Sequence, residues 1–314
     1  MKNLIEICDF DIAVDIYVDT DKLKYFSNKL LSVLSNTKHR IKINNISAEI
    51  INYENEFISK YMSSIETSDL IWSDNLLFPI KYCKNVVITG SFIWPELIKN
   101  ENTIEEMDYF IKSKPLMIGN KYFATSVVRN NSEFYGVGLH SNLFFDPITR
   151  YEKALLLSFG KSKYGKELMN EHFDDIKNKL ISSSFDHDYY VEPKFYRKIS
   201  KNKYIKKATY SNRMYSKVQA AVIRPGMGTI CDCLSKGIKI FSFHNENYEM
   251  NHNSSILKNM GLGLPFKSPV DALDAAMNYF EDINQQGKFI NKLKKLDFDG
   301  LMQTAKKINT LFYD

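Results

Sequence analysis

The chain has 314 residues, 44% of them hydrophobic and 25% charged, with a net charge of +5. That length allows two ordinary domains, and that composition excludes a disordered chain. The start, MKNLIEICDFD, carries acids where a signal peptide is apolar, and no apolar run nears the roughly 20 residues of a membrane span, so a cytoplasmic protein is expected.

In chain order, residues 2–8 have a helical pattern and Asp11–Val18 reads as a strand. DKLKYFSNKLLSVLS then reads as a helix with Leu23, Phe26, Leu30 and Leu34 on one face. Ser68–Asn75 and Lys84–Phe92 read as buried strands that end in polar residues. PLMIGN and YFATSVV follow, and Glu133–Arg150 has the Gly, Pro and Asn content of a linker. A second series begins with the strand ALLLSFG, a helix from about Gly165 to Leu180, a short helix SNRMYSKV and the strand QAAVIR. Next come a helix GTICDCLSKG closed by Gly237, the strand IKIFSF, and a helix NHNSSILKNMG closed by Gly261. A helix opened by Ser268 and Pro269 and a last helix near Leu301–Leu311 complete the chain. The alternation predicts an α/β protein of two Rossmann-like domains, 1–149 and 150–314, with the last helix able to pack back on the first domain.

One stretch, AVIRPGMGTICDCLSKGIKIFSF, places two glycines and a proline at the end of a buried strand. A plain tight turn is one explanation. The other is a backbone that must come close to an anion, since ligands of open parallel sheets bind at the carboxyl ends of strands and a helix N-terminus favours negative charge. Gly226 and Gly228 suit that role, Thr229 adds a hydroxyl, and Arg224 can neutralise a phosphate. Asp232 lies one turn on, where a carboxylate could accept from ribose hydroxyls. HNENYEMNHNSS then brings Glu246, Glu249, Asn251 and Asn253 to the next strand end, a cluster suited to a polyhydroxylated ligand.

From Tyr210 to Gly263 these features resemble, in order and spacing, the C-terminal half of GT-B glycosyltransferases. The match is best to the branch that includes the N-acetylglucosaminyltransferase of the peptidoglycan lipid precursor. The resemblance implies two domains facing a cleft and transfer of a sugar from a nucleotide-activated donor, with inversion and without a metal, to a cell-surface glycan or lipid-linked acceptor. It implies no cofactor, the nucleotide-sugar (a UDP-sugar foremost) being a substrate. Asp232 falls where the family has a Glu that holds the donor ribose. Gly226, Gly228 and Thr229 fall on the turn that faces the phosphates. Glu249 and Asn253 fall on the sugar-binding positions, and Met250 stands where the family often has Gln. Tyr210, Ser211 and Asn212 align with the segment along the nucleobase. Gly160, Lys161 and Ser162, in SFGKSKYG, align with a first glycine loop near the phosphates. The family's opening strand and Gly-rich loop have no counterpart after Met1, so they are expected upstream or lost.

An inverting transfer needs a base for the acceptor hydroxyl. Asp74, at the end of a buried strand, is the first candidate and His140, in GVGLHSN, the second; Trp94 is a candidate stacking ring for an acceptor sugar or lipid. The Asp-x-Asp pairs and the cysteine and histidine spacings give no metal site. Residues 193–217 carry nine basic residues and no acid, which suits an anionic membrane surface at the inner face of the membrane. Nucleic acid is the less favoured partner; it would need the interleaved Phe195, Tyr196, Tyr204, Tyr210 and Tyr215 as stacking rings. A non-catalytic GT-B-like subunit, or a sugar-nucleotide hydrolase or epimerase of the same fold, are the alternative functions.

Overall fold

The structure is a computed structural model. It describes residues 13–19, 40–46, 59, 62, 63, 66–98, 101–141, 143, 145–147, 154–160, 163–182, 187–199, 202–244, 247–280 and 283–311. The helices expected at 2–8 and 21–35 lie outside the described residues, as do Lys161, Ser162 and Glu246.

The first half begins with a parallel pair, β1 (Ala13–Asp19) and β2 (Arg40–Ile46). A four-stranded parallel sheet follows, in the order β3 (Ile71–Asp74), β4 (Val86–Thr89), β5 (Leu116–Asn120) and β6 (Phe134–Val137). Its connections carry α1 (Pro79–Tyr82), α2 (Trp94–Ile98), α3 (Glu101–Ser113) and α4 (Ser126–Arg129). The strands are short apolar runs because both faces are covered. Ile88 and Met117 pack with Phe110 and Val128 on one face, while their neighbours Val87 and Ile118 point to the other.

The second half holds β7 (Ala154–Ser158), α5 (Lys163–Glu171), α6 (Phe173–Ser182), β8 (Asp188–Val191), α7 (Pro193–Ile199), β9 (Ile205–Lys207) and α8 (Asn212–Tyr215). After these come β10 (Ala220–Ile223), α9 (Met227–Ser235), β11 (Lys239–Phe243), α10 (Tyr248–Asn259), β12 (Gly263–Phe266), α11 (Pro269–Tyr279) and α12 (Ile283–Leu293). The six strands are parallel in the order β12-β11-β10-β7-β8-β9. The order reverses between β7 and β10, and a crevice opens at such a point outside the carboxyl ends of the strands.

The last helix, α13 (Gly300–Thr310), leaves the second half and sets Ala305 and Ile308 against Val87, Ile118 and Val137 of the first sheet. A polar knot fixes this return. Asp297 Oδ2 accepts from Lys121 Nζ at 2.9 Å and Gln303 Nε2 at 2.8 Å, and Gln303 Oε1 accepts from Gly138 N at 2.9 Å.

Three expectations need correction. The stretch taken for a linker opens with β6, whose exposed Tyr135 and Gly136 hid an edge strand that, among the described residues, pairs with β5 alone. The helix expected over 165–180 is two helices, α5 and α6, broken at His172. The helix expected from Asn251 starts at Tyr248, because the Asn247 side chain accepts from Met250 N and caps it.

Candidate functional site

The switch point is built by two adjacent strand ends. Arg224 N, just past β10, donates to the carbonyl of Ser158, the last residue of β7, at 3.0 Å. Gly226 is the N-cap of α9 in extended conformation and, being glycine, gives the helix no side-chain cap. Among the described residues, chain neighbours and the helix's own backbone aside, no heavy atom comes within 4 Å of where a Cβ would sit on Gly226 or Gly228. The N-terminus of α9 therefore faces open space, with its first-turn N–H groups and positive end towards it. The half-buried Arg224 reaches back towards Gly160: a Cβ there would lie 3.8 Å from Arg224 Nη1. Thr229 is half-buried in the same turn.

The turn is held from below. Asn253, on α10 and only 1% exposed, donates its Nδ2 to the carbonyl of Pro225 at 2.9 Å, while its Oδ1 is buried without a hydrogen-bond partner. Asn253 was expected to touch the sugar; here it anchors the Arg-Pro-Gly turn.

Two acids flank Arg224. Glu249 lies in the first turn of α10 and is half-buried. Burial raises its carboxyl above the ordinary value, Arg224 pulls it down, and Asp74 pushes it up. Asp74 is exposed at the end of β3 in the other half. Glu249 thus feels the charge of Arg224 in its own half and of Asp74 in the other. Asp232 is half-buried on α9 and accepts from Ser141 Oγ at 3.1 Å. Ser141 also bonds Ser235 Oγ at 3.1 Å, which ties the connecting segment to α9. A ribose at Asp232 would share the carboxylate with this hydroxyl.

The halves meet at Phe123, fully buried in the cluster of Ile230, Leu234 and Leu257. His252 on α10 bonds the Phe123 carbonyl through Nε2 at 2.7 Å.

The remaining candidates take other places. His140 bonds Thr304 Oγ1 through Nε2 at 2.9 Å, and its ring lies against Gly300 of α13. Burial pushes its pKa below the ordinary histidine value, against a backbone hydrogen bond with Gly300. It belongs to the polar seam under α13. Tyr210 adopts φ +52°, and its hydroxyl lies 3.0 Å from Ser158 Oγ. Burial pushes that phenol up to about 12. Ser211 is exposed but caps α8 by accepting from Met214 N; Asn212 is exposed beside it. Gly160 has φ +80°, and its N–H is held by Glu192 rather than left open. Trp94 is 37% exposed and meets Phe92 edge-on at 5.1 Å.

Sequence reasoning missed Glu192, Ser141 and the anchoring role of Asn253. The signal for Glu192 was an acid straight after the apolar YYV and before a proline. Of the rings expected on the basic stretch, Phe195 and Tyr215 are buried in the core, and Tyr196, Tyr204 and Tyr210 are half-buried.

No protein-family model and no curated protein sequence matches the chain. Solved structures do. The glycotransferase of kitacinnamycin aligns over 96% of this chain and 99% of its own, at 12% identity and a TM-score of 0.59. Spinosyn rhamnosyltransferase SpnG complexed with thymidine diphosphate aligns over 94% and 100%, at 8% identity and a TM-score of 0.59. Arabidopsis thaliana UGT89C1 complexed with UDP aligns over 95% and 92%, at 11% identity and a TM-score of 0.61. The chain has the GT-B fold. Glu249, after β11 in the second half, feels the charge of Asp74 at the end of β3 in the first. Among the described residues, no helix is long and apolar enough to cross a membrane.

Proposed function

We propose that the chain is a glycosyltransferase that moves a sugar from a nucleotide-activated donor, foremost a UDP-sugar, to a hydroxyl of a glycan or lipid-linked acceptor. One observation carries this reading: among the described residues the space beside Gly226 and Gly228 at the N-terminus of α9 is open, next to Arg224, whose charge acts on Glu249. The complexes with UDP and thymidine diphosphate among the structural neighbours support a nucleoside diphosphate there.

In this scheme the diphosphate lies over Gly226 and Gly228, where no Cβ blocks the first-turn N–H groups, and Arg224 neutralises it. Asp232 accepts from the ribose, and Tyr210–Asn212 lie along the base. Glu249 meets the sugar hydroxyls. Asp74 takes the proton of the acceptor hydroxyl as its oxygen attacks the anomeric carbon; the bond from that carbon to the diphosphate breaks, and the configuration inverts. The scheme assigns no role to a metal or cofactor. The residues from Ala154 onward form the nucleotide-sugar half in this reading, those before it the acceptor half, and α13 straps the two.

The finer placement, in the branch of the peptidoglycan lipid-precursor N-acetylglucosaminyltransferase, rests on the Tyr210–Gly263 pattern alone. The basic residues of 193–217 are proposed to meet anionic lipid at the cytoplasmic face of the membrane. The burial of Phe195 and Tyr215 removes two of the rings that nucleic acid would need. One observation favours a second reading, a nucleotide-binding GT-B subunit without transfer: Met250, at a sugar-contact position, is 2% exposed and belongs to the core.

Titration calorimetry against UDP, GDP, dTDP, CDP and CMP tests the proposal. We expect one nucleoside diphosphate to bind, and binding to weaken at least tenfold in Arg224→Ala. A chain that binds none of them is not a transferase of this type. A chain that binds UDP yet neither transfers nor hydrolyses any UDP-sugar is the second reading.

A further inference from the structure

Glu192 follows β8 directly and is 7% exposed. A carboxylate this enclosed needs partners, because a charge taken from water without them is costly. Its partners are backbone amides of the neighbouring turn. Glu192 Oε2 accepts from Phe159 N at 3.0 Å, and the carboxylate also accepts from Gly160 N. Two successive N–H groups converging on one anion form a nest of the kind that elsewhere holds phosphate. The other side of the turn is equally engaged. The Phe159 and Gly160 carbonyls lie so close over Gly165 that a Cβ there would meet Phe159 O at 2.1 Å. The open side of Gly160 faces Arg224 Nη1.

We propose that Glu192 is a positioning residue that fills the anion nest of the β7–α5 turn with its own carboxylate, so that a donor diphosphate is bound through the N-terminus of α9 and Arg224 and not through the Phe159–Gly160 amides. This rests on the donor reading above and narrows it. The turn becomes a rigid wall: its amides answer to Glu192, its carbonyls cover α5, and its glycine leaves room for the guanidinium of Arg224. Gly160, expected from the sequence among the contacts near the phosphates, is given a different use. With φ at +80° and nothing but Arg224 Nη1 near its missing Cβ, Gly160 lets the turn close over Glu192 while Arg224 passes beside it.

The test uses residue-resolved amide exchange and UDP calorimetry on the whole chain, with Glu192→Ala, Glu192→Gln and added sodium acetate. In the wild type, Phe159 and Gly160 amides should exchange slowly, and UDP should leave their rates unchanged while slowing those of Met227–Thr229. In Glu192→Ala both amides should exchange at least tenfold faster, and UDP should bind about tenfold more weakly. Acetate at tens of millimolar, which can enter the vacated nest, should restore much of both; a substitution that merely loosens the fold would not respond. Glu192→Gln retains one acceptor oxygen and the volume, so it should lie between the two and keeps the test open if the alanine variant does not fold. Slowing of the Phe159 and Gly160 amides by UDP in the wild type would overturn the proposal, as would a Glu192→Ala chain with unchanged exchange. Failure of UDP to bind the wild type would overturn the donor reading alone; the acetate-dependent protection of the two amides would still decide for or against Glu192.

Discussion

Gly228→Ala separates the needs of the fold from those of the ligand. Gly228 is the second residue of α9, has no positive φ, and has no heavy atom within 4 Å of its absent Cβ. Nothing in the protein requires a glycine there. Alanine restricts the unfolded chain and suits a helix better, so the substitution should stabilise the fold by about 0.5–1 kcal/mol. For a cooperative unit of 150–250 residues that is a rise in Tm of roughly 1–4 °C. The same methyl group would stand in the space assigned to the diphosphate, between it and the first-turn N–H groups. Pushing an anion off such donors should cost about 1.5–3 kcal/mol, or roughly tenfold to a hundredfold in Kd. Thermal unfolding without ligand and titration calorimetry with UDP measure the two effects separately. A variant that is more stable and binds UDP as tightly as the wild type would refute the reasoning, for then the open space over α9 has no ligand to serve.

Four further outcomes are expected. Asp74→Asn should lower turnover of a UDP-sugar about a hundredfold or more, within the range of general-base effects, and leave UDP affinity within about twofold; unchanged turnover removes Asp74 from the chemistry. Glu249 has its carboxyl raised in the fold, by burial first, so it stabilises the protein below the ordinary carboxylate value and that contribution is lost as pH rises through the raised one. Unfolding midpoints against pH should therefore fall more across that window for wild type than for Glu249→Gln, and parallel curves would contradict it. Phe123→Ala empties a fully buried site and should cost about 3–5 kcal/mol by chemical denaturation. Reversing Lys194, Arg197 and Lys198 together should weaken binding to phosphatidylglycerol vesicles about a hundredfold or more, at about 1 kcal/mol per basic residue near an anionic surface, without changing UDP affinity. Equal sedimentation of wild type and variant with phosphatidylglycerol vesicles would reject the lipid partner.

The sequence was most legible where local chemistry is strong. Ser268 and Pro269 start α11 as expected, Gly237 and Gly261 take the positive φ that ends helices, and the apolar strands β4, β7, β10 and β11 stand where periodicity put them. It was least legible where structure depends on pairing. β8 and β9 are four and three residues long, and β9 sits inside the basic stretch, so neither has a pattern of its own; β8 extends the edge of β7 and β9 in turn extends the edge of β8. The candidate site divides in the same way. The glycine turn, Arg224 and Glu249 could be read because a strand end, a turn and a helix start lie within thirty residues of one another. The clamp of Glu192 on Phe159 and Gly160 could not, because it joins residues over thirty apart that only the sheet order brings together. His140 misled for the opposite reason. Its neighbours in sequence suggest a loop, whereas its partners, Gly300 and Thr304, come from the end of the chain.

Every group assigned to the donor belongs to the β7–α10 region, and these groups are cross-braced: Arg224 to Ser158, Pro225 to Asn253, Phe159 to Glu192. The assigned base comes from the other sheet. The ties between its half and the donor half are Phe123 seated in the second core, His252 bonded to the Phe123 carbonyl, and α13 held to the first sheet through Asp297 and Gln303. Donor affinity should therefore follow the local braces, and turnover should also follow the seams between the halves. A seam that slackens by an ångström leaves the diphosphate in place and moves Asp74 off the line of attack, a displacement to which the chemical step is far more sensitive than binding is.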